Sequence, residues 1–150
     1  MIPKSVQKIE DSAFMYCKKL SDVTFESGSG LQKIGEEAFS DCINLKKIVI
    51  PKNVKIIAGG AFYNCKNMVS VTFQSGSKLQ KIEEEAFSDC IKLKKITFTS
   101  KKIKFIGEDA FYRINKNAII KVPGKKLAKY KKLLEKKAGI KPTMKIVTKG

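Results

Sequence analysis

An Ala-Phe pair recurs at Ala13-Phe14, Ala38-Phe39, Ala61-Phe62, Ala86-Phe87 and Ala110-Phe111, at steps of 25, 23, 25 and 24 residues. This periodicity restricts the fold more than any other feature. A unit of this length cannot bury its apolar face alone, so successive units must stack. The residues around the pair keep the same register. Ile9, Ile34, Ile57, Ile82 and Ile106 each stand four positions before an Ala, and Cys17, Cys42, Cys65 and Cys90 stand three after the first four Phe residues. Val23, Ile48, Val71, Ile96 and Ile120 come ten after the Ala, followed two positions on by Phe25, Ile50, Phe73, Phe98 and Val122.

Only the link between the last strand residue and the next coil varies in length. The longer links read Ser27-Gly28-Ser29-Gly30 and Ser75-Gly76-Ser77-Lys78, which are turn-forming compositions. Length variation confined to one corner marks a solenoid, in which a loop bulges outward without disturbing the stack. Val23-Thr24-Phe25, Ile48-Val49-Ile50, Val71-Thr72-Phe73 and Ile96-Thr97-Phe98 alternate inward and outward residues and read as one short parallel strand per coil. Glu36-Glu37, Glu83-Glu84-Glu85 and Glu108-Asp109 precede Ala-Phe segments, an arrangement that predicts one or two helical turns with carboxylates at the positive dipole end. At about 4.8 Å between neighbouring strands, five coils span roughly 20–25 Å.

The run Ala-Phe-x-x-Cys-x-x-Leu-x-x-Ile-x-Ile-Pro-x-x-Val-x-x-Ile, fullest from Ala38 to Ile57, resembles the BspA-type, or Treponema pallidum-type, leucine-rich repeat. A coil with one strand and this spacing falls in the roughly 20–29-residue range of leucine-rich repeats. The resemblance covers residues 1–123 in five copies, the first incomplete and the fifth carrying Ile114 in place of Cys. It implies an α/β right-handed solenoid, a short horseshoe with one parallel strand per coil. Residues 124–150 resemble the C-terminal caps of such regions, with a helix over about 125–138 and a strand over about 143–148. The resemblance also implies a non-catalytic adhesion or recognition scaffold at the cell surface or in secreted form. No signal peptide is expected within these residues, since Met1-Ile2-Pro3 passes straight into repeat sequence. A start in mid-repeat leaves the Ile9, Ala13 and Phe14 coil without an upstream neighbour, an end suited to self-association.

Composition sets the limits on chemistry. The chain has 150 residues and no His, which removes Ser-His and Cys-His nucleophile pairs, imidazole proton shuttles and His-ligated metals. No cofactor or metal site is expected, and catalysis is not. The four Cys include no C-x-x-C pair. Each takes the same slot of successive coils, which predicts a column of buried free thiols, with oxidation of one adjacent pair as the alternative.

A horseshoe binds through the outward residues of its strands. Here these are Asp22, Lys47, Ser70, Lys95 and Ile119 before the inward residue, and Thr24, Val49, Thr72, Thr97 and Lys121 after it. This concave face suits a protein or glycan ligand, or is simply a solvated sheet. The formal charge is +17, of which residues 1–100 hold +4 and residues 101–150 hold +13. The excess therefore belongs to the C-terminal end. Lys125, Lys126, Lys129, Lys132 and Lys136 there either keep the cap solvated or tether a polyanion. Because 30 of the 31 basic residues are Lys, specific nucleic-acid reading through the Arg fork is not expected. No stretch approaches the roughly 18–20 apolar residues of a membrane span.

Overall fold

The computed structural model describes residues 1–149; Gly150 and the side chain of Lys136 lie outside the described residues. The strands in chain order are β1 (Lys8–Ile9), β2 (Lys33–Ile34), β3 (Lys47–Ile50), β4 (Ile56–Ile57), β5 (Ser70–Phe73), β6 (Lys81–Ile82), β7 (Lys95–Thr97), β8 (Phe105–Ile106) and β9 (Ile119–Pro123). A 3-10 turn at Gly124–Lys126, helix α1 (Leu127–Lys137) and strand β10 (Lys145–Lys149) complete the chain. The strands form two parallel sheets, a short-strand sheet in the order β1-β2-β4-β6-β8 and a long-strand sheet in the order β10-β9-β7-β5-β3. The expected strand is present in every coil but the first, and a second ladder accompanies it. In that ladder Ile9, Ile34, Ile57, Ile82 and Ile106 stand in register. Two-residue strands are too short for alternation to announce them in the sequence.

The Ala-Phe segments are not helical turns, which corrects the expectation drawn from the acidic runs. Their backbone enters the left-handed region twice per coil. Ser12, Glu37, Gly60, Glu85 and Asp109 do so just before the Ala, and Tyr16, Asp41, Asn64, Asp89 and Arg113 three residues after it. Left-handed backbone costs an L-residue about 1–2 kcal/mol and ends any helix. Its effect here is to aim alternate amides along the solenoid axis. The N–H of Glu37 donates to the Gly59 carbonyl at 2.9 Å, that of Phe39 to Ala61 at 2.7 Å and that of Asp41 to Tyr63 at 2.9 Å. The amides between them, Ala38, Ser40 and Cys42, close turns within their own coil to Gly35, Glu37 and Phe39. The turn is thus a third hydrogen-bonded ladder, and its acidic residues mark left-handed corners.

Inside the three ladders, equivalent side chains stack in columns. Phe14, Phe39, Phe62, Phe87 and Phe111 lie 5.0–5.4 Å apart between ring centroids and within 5° of parallel. A shorter aromatic column, Phe73 on Phe98, ends on Tyr130 of α1, whose hydroxyl donates to the Ser100 carbonyl at 2.8 Å. Each buried ring contributes about 2–3 kcal/mol of apolar transfer. The core is well satisfied: among the described residues no buried side-chain polar atom lacks a hydrogen-bond partner.

The two ends differ. At the C-terminus α1 closes the stack with its last carbonyls, groups that a helix leaves without partners of its own. Lys137 accepts from the Asp109 N–H at 2.7 Å, and Ala138 accepts from the Phe111 N–H at 2.8 Å. Gly139 then turns the chain at φ +77°, where an added Cβ would meet the Tyr112 backbone at 2.7 Å. β10 returns to pair with β9 from Lys145↔Ile119 to Lys149↔Pro123, as one further coil would. At the other end Ile2 bridges to Phe25, while Phe14, Cys17, Leu20 and Val23 stay only partly buried. The expected strand over 23–25 is reduced there to that single bridge, and β3 is an edge of its sheet.

Replacing Phe62 with Ala in mid-column should cost about 3–5 kcal/mol in denaturant unfolding, whereas Phe14→Ala at the open end should cost less than half as much. Gly139→Ala should lower the thermal midpoint by detaching the cap, since the Cβ meets backbone that cannot yield.

Candidate functional site

Inward positions of the long strands are fixed by packing, so only outward positions are free to carry chemistry. Register brings them into two columns. Lys47, Ser70, Lys95, Ile119 and Lys145 form one, and Val49, Thr72, Thr97, Lys121 and Val147 the other. Lys47, Lys95 and Lys121 are exposed, Ser70, Thr72 and Thr97 are half-buried, and the apolar Val49 and Ile119 are 46% and 40% exposed. Among the described residues no carboxylate forms an ion pair with these lysines. The sequence pattern missed Lys145 and Val147, which join this face only because β10 adds itself to the sheet.

Asp22 and Thr24 belong to the first coil, beyond the edge strand β3. They line a cleft of about 300 Å³ together with Lys47, Val49 and Gln74. The cleft lies where the regular ladder stops, and it sets a carboxylate, a hydroxyl, an ammonium and an amide around an apolar Val. Gln74 was not anticipated; it immediately follows the last inward residue of β5, where alternation carries no signal. Its side-chain oxygen accepts from the Lys52 N–H at 3.0 Å, which fixes it.

The second candidate group lies on the cap. Lys125, Lys129 and Lys132 are exposed, Lys126 is half-buried, and the side chain of Lys136 is outside the described residues. Tyr130 and Leu134 are fully buried and Leu127 and Leu133 partly so, which keeps Lys125, Lys129 and Lys132 out of the core. Lys137 approaches Glu108 at 4.0 Å across exposed surface, a distance and setting of little energetic weight.

The cysteines stand in their column as free thiols, and Cys17, at the open end, is half-buried where burial was expected. Each of the other three donates its S–H to the Phe carbonyl of the preceding coil: Cys42 to Phe14 at 3.1 Å, Cys65 to Phe39 at 3.2 Å and Cys90 to Phe62 at 3.1 Å. The slot therefore asks for a small, apolar side chain with one weak donor, which Cys supplies. Burial pushes the Cys42 thiol up to about 12, and the neighbouring Cys90 thiol together with burial raises Cys65 further. Neither is a nucleophile at neutral pH. Among the described residues no group of three or more Cys, Asp or Glu is placed to hold a metal ion.

The family described as BspA type leucine rich repeat region matches residues 1–118 in six copies. Counting Ala-Phe pairs gives five, one fewer than the six copies of the family match. Among solved structures, the pneumococcal vaccine antigen PcpA shares 32% identity over 79% of this chain and 29% of its own, with a TM-score of 0.73. A T. pallidum leucine-rich repeat protein shares 28% identity over 79% of this chain and 53% of its own, with a TM-score of 0.68. A leucine-rich cell surface protein of Faecalibacterium prausnitzii shares 28% identity over 75% of this chain and 35% of its own, with a TM-score of 0.51. The chain thus spans about half or less of the length of these structures. No curated protein sequence matches it.

The thiol geometry gives a direct expectation. With Ellman's reagent at pH 8 the folded protein should release about one equivalent quickly, from Cys17, and the remaining three only on unfolding; rapid reaction of all four would contradict the buried column.

Proposed function

The chain belongs to the BspA-type leucine-rich repeat family, whose members are typically interaction or adhesion scaffolds, and on that footing we propose that it is a non-catalytic recognition module using its long-strand face. The observation that carries this reading is the contrast between the two sides of that sheet. Inward side chains repeat from coil to coil, as packing requires. Outward ones change from Lys to Ser to Lys to Ile and from Val to Thr to Lys, a variation that stacking neither demands nor opposes. The result is a rigid surface of separated cations, hydroxyls and small apolar groups, bordered by the cleft at Asp22 and Lys47. Such a surface suits a protein or glycan ligand held by several modest contacts, with Val49 and the cleft as an apolar anchor near the β3 edge.

Placement at the cell surface or in secreted form accords with the similarity to a cell surface protein of Faecalibacterium prausnitzii, and no helix among the described residues is long and apolar enough to cross a membrane. Self-association through the half-buried first coil belongs to the same reading, since its apolar residues present the surface on which another coil would stack. A second reading rests on the cap, where Lys125, Lys129 and Lys132 offer a polyanion a continuous run of exposed positive charge.

Arrayed proteins, glycans and anionic cell-wall polymers, probed at about 50 and 200 mM salt, should separate the two readings. Ligand captured by the long-strand face should survive the higher salt and weaken by about tenfold or more in a Lys47→Glu/Lys95→Glu variant. Binding that collapses with salt and with Lys129→Glu/Lys132→Glu, but ignores Lys47 and Lys95, would assign the activity to the cap.

A further inference from the structure

Between β8 and α1 the last coil and the cap leave an open groove of about 510 Å³, a size that accommodates two or three side chains. Phe105 and Leu133 form its floor. Phe105 is 40% exposed and stands in an outward slot that earlier strands fill with Lys8, Lys33, Ile56 and Lys81. A solvated sheet gains nothing from a Phe there. The core does not use it either, since Tyr130 and Leu134 already close the stack. The Lys81 ammonium lies 5.2 Å from the Phe105 ring centroid and holds its face.

The walls carry opposite charge. Lys129, Lys132 and Lys137 line the helix side, Glu84 and Glu108 the turn side. A uniform polyanion would meet the two carboxylates, and a bare alkyl chain would leave both walls unused. A polypeptide matches both, because it pairs acidic side chains with main-chain N–H donors around an apolar anchor.

We propose that this groove docks a short peptide segment: an aliphatic or aromatic side chain rests on Phe105 and Leu133, an adjacent Asp or Glu meets Lys129 and Lys132, and main-chain N–H groups face Glu84 and Glu108. The site is separate from the long-strand face and stands whether or not that face binds a ligand.

The test uses the full chain, a phage-displayed random heptapeptide library and a Phe105→Lys protein as counter-target. The substitution installs the residue that three other coils carry at this slot, and circular dichroism checks that the fold is kept. Enriched sequences should place a Leu, Ile, Phe or Tyr within two positions of an acidic residue. Synthetic copies should bind about tenfold more weakly to Phe105→Lys and to Lys129→Glu/Lys132→Glu, and equally well to Lys47→Glu/Lys95→Glu. The Phe105 result discriminates sharply, because simple charge attraction predicts tighter binding of acidic peptides to the added Lys. No enrichment over the counter-target, enrichment of basic peptides, or tighter binding to Phe105→Lys would overturn the proposal. So would saturable laurate binding at Phe105 without peptide enrichment, which would reassign the groove to an alkyl anion.

Discussion

Amide-to-carbonyl hydrogen bonds join the coils along three lines, and the line through the Ala-Phe turn, in which each coil donates to the next, is the one on which the others depend. It exists because ten residues adopt left-handed backbone, only Gly60 of them a glycine. At about 1–2 kcal/mol each, that conformation is unfavourable in isolation. It is offset because it aligns amides with the carbonyls of the following coil and sets the Phe rings about 5 Å apart. Neither term works alone. A helical turn in this segment would direct its amides back into the same coil and break the column.

The same accounting explains the ends. In the turn ladder each coil presents its donors towards the C-terminus, so there the last coil needs acceptors. A helix C-terminus has unpaired carbonyls to offer, and α1 supplies those of Lys137 and Ala138. Tyr130 completes the second aromatic column, and β10 extends the long-strand sheet. The cap therefore does two things, closing the core and adding Lys145 and Val147 to the exposed face. Its excess lysines face outward because the inward face is already committed.

Much of this was legible in the residues. Columns of Phe, Cys, Ile and alternating strand residues follow from fixed spacing, and the length variation at Ser-Gly links located the outer corner. The helical expectation failed for a physical reason: acidic residues before an apolar pair suit a helix N-terminus, but Glu37, Glu85 and Asp109 occupy left-handed corners, and residue identity does not announce φ. The short-strand ladder was hidden because two residues cannot display alternation. The outward site positions were legible as a set. Gln74 and Lys145 were not, since the cleft depends on where the sheet stops and the added strand on how the cap returns.

Amide hydrogen exchange followed by NMR examines the turn ladder most directly. The amides of Phe39, Phe62 and Phe87 and of Asp41, Asn64 and Asp89 should exchange only through global unfolding, and protection should decline towards Phe14 and Tyr16 at the open end. Exchange of the six as fast as that of Ser75 and Gly76 in the outer loop would contradict the account, because the left-handed corners would then hold no ladder.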